Sequence, residues 1–258
     1  MPEKYAIADL TWRELDAATD ETSTLLLPVG STEQHGHHLP LGVDTHMPEA
    51  ICRRIAERSR CLVAPAIPYG VSPHHTFKPG TVTVGSETFR RYVRDVCVST
   101  SEWGIETVLL VNGHYLVQDP ELEIVVRDLR TDHGMRAFHV PLVDLFADLA
   151  DEIRESDLSF HASEFETSMM LALCPDLVHM DRAEATTIAE EALPLTDYDA
   201  LGDNEVGWAL SADEMAELTP TGNLGDPTVA TVETGERLVE RVVSKAVSLV
   251  DALERPEG

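Results

Sequence analysis

Lysine is nearly absent from this 258-residue chain, which holds only Lys4, Lys78 and Lys245. Aromatic side chains are sparse as well, at 5% of residues, and no apolar run reaches membrane-spanning length. The four cysteines, Cys52, Cys61, Cys97 and Cys174, show no CxxC or zinc-finger spacing. They read as small buried hydrophobes, not as disulfides or ligands. The G-x-S-x-G turn of serine hydrolases is missing, and no cysteine stands in a motif beside a histidine. A serine or cysteine nucleophile therefore has no support. The opening MPEKYAIADLTWREL is polar from its first turn, without the apolar core of a secretory leader, so a cytoplasmic location is expected.

What is present in excess is negative charge. Forty-six acids face nineteen bases, a formal net charge of -27, and the acids are spread along the whole chain. Such a surface repels nucleic-acid phosphates and anionic lipids, so neither is expected as a partner. It also repels itself, and molar salt shortens the screening length to about 3 Å. The sequence thus predicts a salt-loving protein. Its unfolding midpoint should rise steadily between about 0.1 M and about 1 M KCl, and a midpoint that stays put would contradict this.

Four apolar runs read as buried strands: TLLLPVG (24–30), CLVAPAI (61–67), TVLLVNG (107–113) and RAFHVPLVD (136–144). Helical patterns run from about Pro48 to Ser59, from near Ser86, and after Pro120, with apolar positions at Leu122, Ile124, Val125 and Leu129. Further helices are expected from Glu164 to Cys174 and from about Thr234 to Glu254. Strands alternating with helices imply right-handed crossovers and a mostly parallel sheet covered on both faces, an α/β fold. An acidic stretch from about Asp181 to Pro220 reads as irregular and is too short for a second domain, so residues 1–258 are expected to form one domain.

The chemistry concentrates in GSTEQHGHHLPLGVDTH, Gly30 to His46, where four histidines, Glu33 and Asp44 share a loop broken by Gly36, Pro40 and Gly42. In open α/β sheets, ligands gather beyond the carboxyl ends of the strands. This loop leaves one such end, and TVLLVNG delivers Asn112, Gly113 and His114 from another. Glu33, His35, Asp44 and His114 are thus expected on a common rim. Glu33 and His35, two apart, point to one side of an extended backbone. Carboxylate with imidazole suits zinc, manganese or iron, and an Asp between such ligands can bridge a metal pair. Spacing alone leaves a polar surface loop equally open. In FHASEFETSMM, His161, Glu164 and Glu166 open an apolar helix, where acids favour the helix dipole without any ligand.

GSTEQHGHHLPLGVD, the PYG of Pro68–Gly70, the PGT of Pro79–Thr81, VNGHY and FETSMMLALCPDLV together resemble the creatininase family of metal-dependent amidohydrolases. The resemblance runs from DLTW at Asp9–Trp12 to the final helix and implies a three-layer αβα sandwich. It also implies two divalent metals, with Glu33 and His114 on one, His35 on the other and Asp44 between them. Tyr115 matches a substrate-contacting tyrosine, His161 a histidine near the substrate, and Glu166 a possible ligand or acid/base. His75, in SPHHTFKPG, is a candidate substrate contact or an exposed loop histidine. Creatininase proper carries NGHYEN, whose glutamate completes the second metal's ligands; here Leu116 stands at that position, so the second site loses a carboxylate unless Glu166, Glu164 or water replaces it.

The implied reaction is hydrolysis of a non-peptide C–N bond, in a cyclic amide or a formamide, with His161 or Glu166 giving the leaving nitrogen its proton. Alternatives are deformylation of a formylaminopyrimidine ribotide, a peptidase acting on a cofactor precursor, or a metal-binding relative without catalysis. A homo-oligomer is expected by the same resemblance. His37 and His38 read as loop-shaping, and His46 as helix-start packing or a neighbour of Asp44. His133, His139 and His179 read as incidental. Trp12, Trp103 and Trp208 read as packing residues, with Trp208 a possible pocket lid.

Overall fold

The computed structural model describes residues 5–188, 199, 201 and 210–254. Trp208 and part of the acidic stretch lie outside them. Helix α1 (Trp12–Thr19) opens on a capping box between Thr11 and Glu14, which satisfies two otherwise orphaned N–H groups. The central sheet follows, with strands β1 (Thr24–Val29), β2 (Leu62–Val63), β3 (Thr107–Asn112) and β4 (Arg136–Pro141) in the order β2-β1-β3-β4. All its pairings are parallel, with Val29 beside Asn112 and Asn112 beside Pro141 at the carboxyl ends.

Alternation along each strand builds two cores. Leu26, Leu109, Val111 and Val140 face one way, against helices α2 (Val43–Ala56), α5 (Leu142–Ile153), α6 (Glu164–Leu173) and α8 (Val232–Leu253). Leu25, Leu27, Val108 and Leu110 face the other way, against α3 (Ser86–Ser101) and α4 (Asp119–Asp132). Each such leucine contributes about 1.5–3 kcal/mol by burial. This is the three-layer αβα sandwich, the α/β class expected. A small antiparallel pair, β5 (Ser159–His161) with β6 (Leu224–Gly225), stands apart, and a short helix α7 (Ala212–Leu218) precedes β6. The long α8 lies close on α6: a Cβ added at Gly235 would sit 1.8 Å from the Ser168 carbonyl oxygen.

Several boundaries differ from the sequence reading. The apolar run 136–144 is not one strand, because α5 begins at Leu142 directly after β4. Leu142, Val143, Phe146, Leu149 and Ala150 are its buried face, a helical spacing hidden by continuous apolarity. Helix α2 starts at Val43, not near Pro48. Proline lacks only the N–H that would pair with Asp44, so the first turn survives it. The stretch called irregular holds α7, with its own capping box between Ser211 and Glu214. Trp12, expected to pack, is 72% exposed, whereas Trp103 packs at the edge of the second core. The four cysteines are free, with Cys52, Cys61 and Cys97 buried. Among the described residues no helix is long and apolar enough to cross a membrane.

Candidate metal centre and cleft

The carboxyl ends of β1 and β3 form the floor of the site. Each strand hands over to a glycine, Gly30 and Gly113, and the first turn of α2 lies directly on both. A Cβ at either position would come within 2.2 Å of the Asp44 carbonyl oxygen. Asp44 is therefore a helix residue seated on the sheet rim, where the sequence had suggested a loop folding back. Gly113→Ala should lift this turn, costing about 1–3 kcal/mol and lowering metal content with every ligand still encoded. Elemental analysis beside a thermal melt checks this; full metal retention would contradict it.

Around Asp44 the predicted residues converge. Glu33, His35, Asp44, His114, His161 and Glu166 are all buried. Three groups have ligand atoms mutually within 4.8 Å: Glu33 with Asp44 and His114, His35 with Asp44 and Glu166, and Glu33 with His35 and His161. Asp44 is common to the first two. His35 Nε2 lies 3.1 Å from Asp44 Oδ1, and His114 Nδ1 lies 3.3 Å from Asp44 Oδ2 and 3.4 Å from Glu33 Oε1.

The far nitrogen of each ring is tied to the backbone. His35 Nδ1 lies 3.2 Å from the Glu33 carbonyl oxygen, and His114 Nε2 lies 3.2 Å from that of Val71. Such bonds fix the tautomer and aim the other nitrogen inward. Both carboxylate oxygens of Glu33 and Oδ2 of Asp44 are buried without a hydrogen-bond partner. Unpartnered buried carboxylate oxygens are costly, so this donor set fits divalent cations well.

The electrostatics agree. Burial alone would lower the His35 pKa, but Asp44, with Glu166 and Glu33 behind it, carries it up to about 10. His114 is likewise pushed down by burial and raised to about 9 by Glu33 and Asp44. Burial raises Glu33 and lifts Glu166 to about 7. Asp44, penalised by burial, is nonetheless held below the usual carboxylate range by His35 and His114.

Glu166 sits in the first turn of α6, where its carboxylate accepts the Ala162 N–H. Glu164 is not available as a ligand. It is spent on the N–H groups of Glu155 and Ser156 and on the Ser156 hydroxyl, at 2.7–3.1 Å. Leu116, at the position of the glutamate in NGHYEN, is half-exposed at φ +63°. Its N–H donates to Asp119 Oδ2 at 2.6 Å, and Asp119 Oδ1 accepts from Asn112 Nδ2 at 2.7 Å. Among the described residues Leu116 and Ala162 are the non-glycines with positive φ. Both flank the centre, and such strain costs of order 1–3 kcal/mol.

Beside the centre opens a narrow cleft of about 20 Å³ lined by His74, His75, Tyr115, Phe160, His161 and Glu166, among others. Tyr115 lines it, but its hydroxyl donates to the Phe160 carbonyl at 2.7 Å. His75 is buried, not exposed, and stacks on His161 with ring centres 4.0 Å apart.

Residues 8–250 match the family model Creatininase, described as creatinine amidohydrolase. The chain belongs to the creatininase family. Creatininases are metal-dependent amidohydrolases, and this chain is one of those enzymes. It is 34% identical over 202 residues to the creatinine amidohydrolase of Pseudomonas putida, across 70% of this chain and 76% of that one. It is 33% identical over 238 residues to a mycofactocin precursor peptide peptidase of Mycobacterium ulcerans, across 88% and 84%. A crystal structure of creatinine amidohydrolase superposes with a TM-score of 0.81 at 28% identity, covering 99% of this chain and all of that one. Solved creatininases include a manganese form and a Zn-Zn form of a variant.

The remaining histidines divide by environment. His37 is exposed, 3.9 Å from Glu184. His38 is buried, bonds Thr167 Oγ1 at 2.9 Å, and is pushed down to about 4 by burial. It pins the creatininase loop to α6. His46 folds over Gly42, whose added Cβ would lie 2.9 Å from its Nε2. His139, read as incidental, stands 3.0 Å from Asp119. His74 and Gln34 carried no assignment in the sequence. Both are buried at the site, and the only signal for Gln34 was its place between two candidate ligands.

Proposed function

We propose that Glu33, Asp44 and His114 hold one divalent ion and His35, Asp44 and Glu166 a second, and that the enzyme hydrolyses a small non-peptide amide, a cyclic amide or a formamide. The observation carrying this reading is Asp44, the residue shared by both ligand groups. Glu166 supplies the carboxylate that Leu116 does not. Ions bound there acidify water and polarise a carbonyl oxygen.

The chain's own groups do the rest. The narrowness of the cleft favours a compact amide over an extended one. His161 Nδ1, facing Glu33 Oε1 at 3.9 Å, stands where a proton can pass to the departing nitrogen. Tyr115 and His75 border the substrate. The likeness to a creatinine amidohydrolase favours a cyclic amide; the likeness to a peptide peptidase keeps a short peptide as the second reading. A ribotide is disfavoured, because no arginine or lysine is among the described residues lining the cleft. We also infer a cytoplasmic, salt-adapted homo-oligomer, supported by the composition and by the family resemblance.

Metal content per chain, by elemental mass spectrometry on protein purified in high salt without chelators, tests the centre. About two ions per chain are expected, followed by turnover in a screen of cyclic amides and formamides. About one would mean that Leu116 has cost the second position. None, with the fold intact, would overturn the reading.

A further inference from the structure

The tip of the ligand loop holds a side chain given no role so far. Gln34, between Glu33 and His35, is buried, and every polar atom of its amide is committed. Its Oε1 accepts the Gly36 N–H at 3.1 Å. Its Nε2 lies 2.8 Å from the Gly222 carbonyl and 2.9 Å from His75 Nδ1. These neighbours fix the amide's orientation, because a flip would set oxygen against the Gly222 oxygen and nitrogen against a donor. The Gly222 approach is built for this: its φ is +98°, and a Cβ there would lie 2.0 Å from Gln34 Oε1.

A primary amide has two hydrogens. One goes to Gly222 and one to His75 Nδ1, so none remains for His161 Nε2, 3.2 Å away. That nitrogen also lies 2.8 Å from the main-chain oxygen of Gln34, which can only accept. His161 Nε2 must therefore carry a hydrogen and donate it. Both stacked rings end in the Nε2–H form, with opposite ends turned to the centre. In the neutral rings, His75 presents Nε2–H towards Glu33 Oε1 at 3.4 Å, and His161 presents a bare Nδ1 towards the same oxygen at 3.9 Å.

We infer that Gln34 is a positioning residue that locks this pair, so that His75 enters the reaction as a hydrogen-bond donor and His161 as a proton acceptor. The catalytic part rests on the proposed amide hydrolysis; the ring states do not. In that reaction a water O–H bond breaks and its proton goes to His161 Nδ1, while the water oxygen bonds to the carbonyl carbon. The C–N bond then breaks, the nitrogen takes the proton from Nδ1, and the ring returns to its starting form. The donor of His75 and the acceptor of His161 stand side by side, which matches an amide presenting C=O and N–H on one edge, as lactams do.

Long-range ¹H–¹⁵N correlation spectra of the histidine rings test this on the intact chain in molar KCl, first metal-free and then with excess Zn²⁺. Both rings are expected as neutral Nε2–H forms in the wild type, and an Nδ1–H form at either would overturn the inference. In Gln34→Glu, whose carboxylate only accepts, His75 should gain the Nδ1–H form. His161, held by a main-chain oxygen, should keep its state. An unchanged His75, or a change in both rings together, would overturn the role of Gln34. Should Gln34→Glu fail to fold, Gln34→Met, which keeps the volume and loses the amide, serves: the His75 Nδ1 resonance should shift once its donor is gone, and an unshifted resonance would overturn the role of Gln34. Amide turnover should fall by about 10- to 100-fold in Gln34→Met with zinc content unchanged. Absence of amide turnover in the wild type would remove the hydrolysis reading and leave the ring states standing.

Discussion

Asp44→Ala is expected to strip both ions and end turnover while the fold persists. Asp44 is the side chain common to the two ligand groups proposed for the ions, so its loss removes a donor from each. The alanine leaves Glu33, with two buried oxygens already lacking partners, facing the gap alone. A metal's charge stabilisation is worth several kcal/mol, and tenfold in rate corresponds to about 1.4 kcal/mol. Activity should therefore drop by at least roughly a thousandfold. The measurement is paired: metal per chain, and turnover on whichever amide the wild type accepts. Retained activity in the metal-depleted variant would sink the two-ion centre. His114→Ala and Glu166→Ala should each release one ion.

Metal affinity should climb steeply with pH. Without metal, His35 holds its proton up to about pH 10 and His114 up to about pH 9. A ligating imidazole is neutral, so both protons must leave when metal enters. The sign follows: below these pKa values each displaced proton weakens binding, and raising the pH relieves the competition. With two protons displaced, affinity for the pair should rise by about a hundredfold per pH unit between pH 6 and about 8.5. It should flatten as the pH passes the two ring pKa values. Glu166, near 7 through burial, adds a third proton at the acid end. Zinc titrations over this range, in buffers of differing ionisation enthalpy, report the proton count directly. A flat profile would mean that metal does not enter through these rings.

Much of the centre was legible in the sequence because each ligand sits at a strand end or a helix start, which apolar patterning locates. TLLLPVG and TVLLVNG each hold a six-residue strand buried along its whole length, so their exits mark the rim without reference to any relative. Three features stayed hidden. Asp44 was taken for a loop residue because Pro48 reads as a helix start, and only the packing of Gly30 and Gly113 under it shows the turn above. Helix α5 was lost within a continuous apolar run. Glu164 and Glu166 were indistinguishable by spacing, and the loop at Glu155–Ser156, which captures Glu164 and leaves Glu166 to the centre, separates them. Gln34 gave no signal beyond its place between Glu33 and His35, since an amide's value lies in which atoms surround it.

The close spacing of Glu33, His35 and Asp44 has a bearing on folding equilibria. These three donors lie within one short segment of sequence, from the exit of β1 to the first turn of α2, whereas His114 and Glu166 come from distant parts of the chain. An unfolded chain therefore keeps a floppy chelate, able to hold an ion before any sheet exists. A ligand stabilises a fold only by the difference between its native and denatured affinities. Metal should thus raise the melting temperature less than its native affinity alone would suggest, and the denatured ensemble should be compacted around this segment. Chelators would then act on both sides of the folding equilibrium, and the ion would ride into the native state on the segment that later grips it.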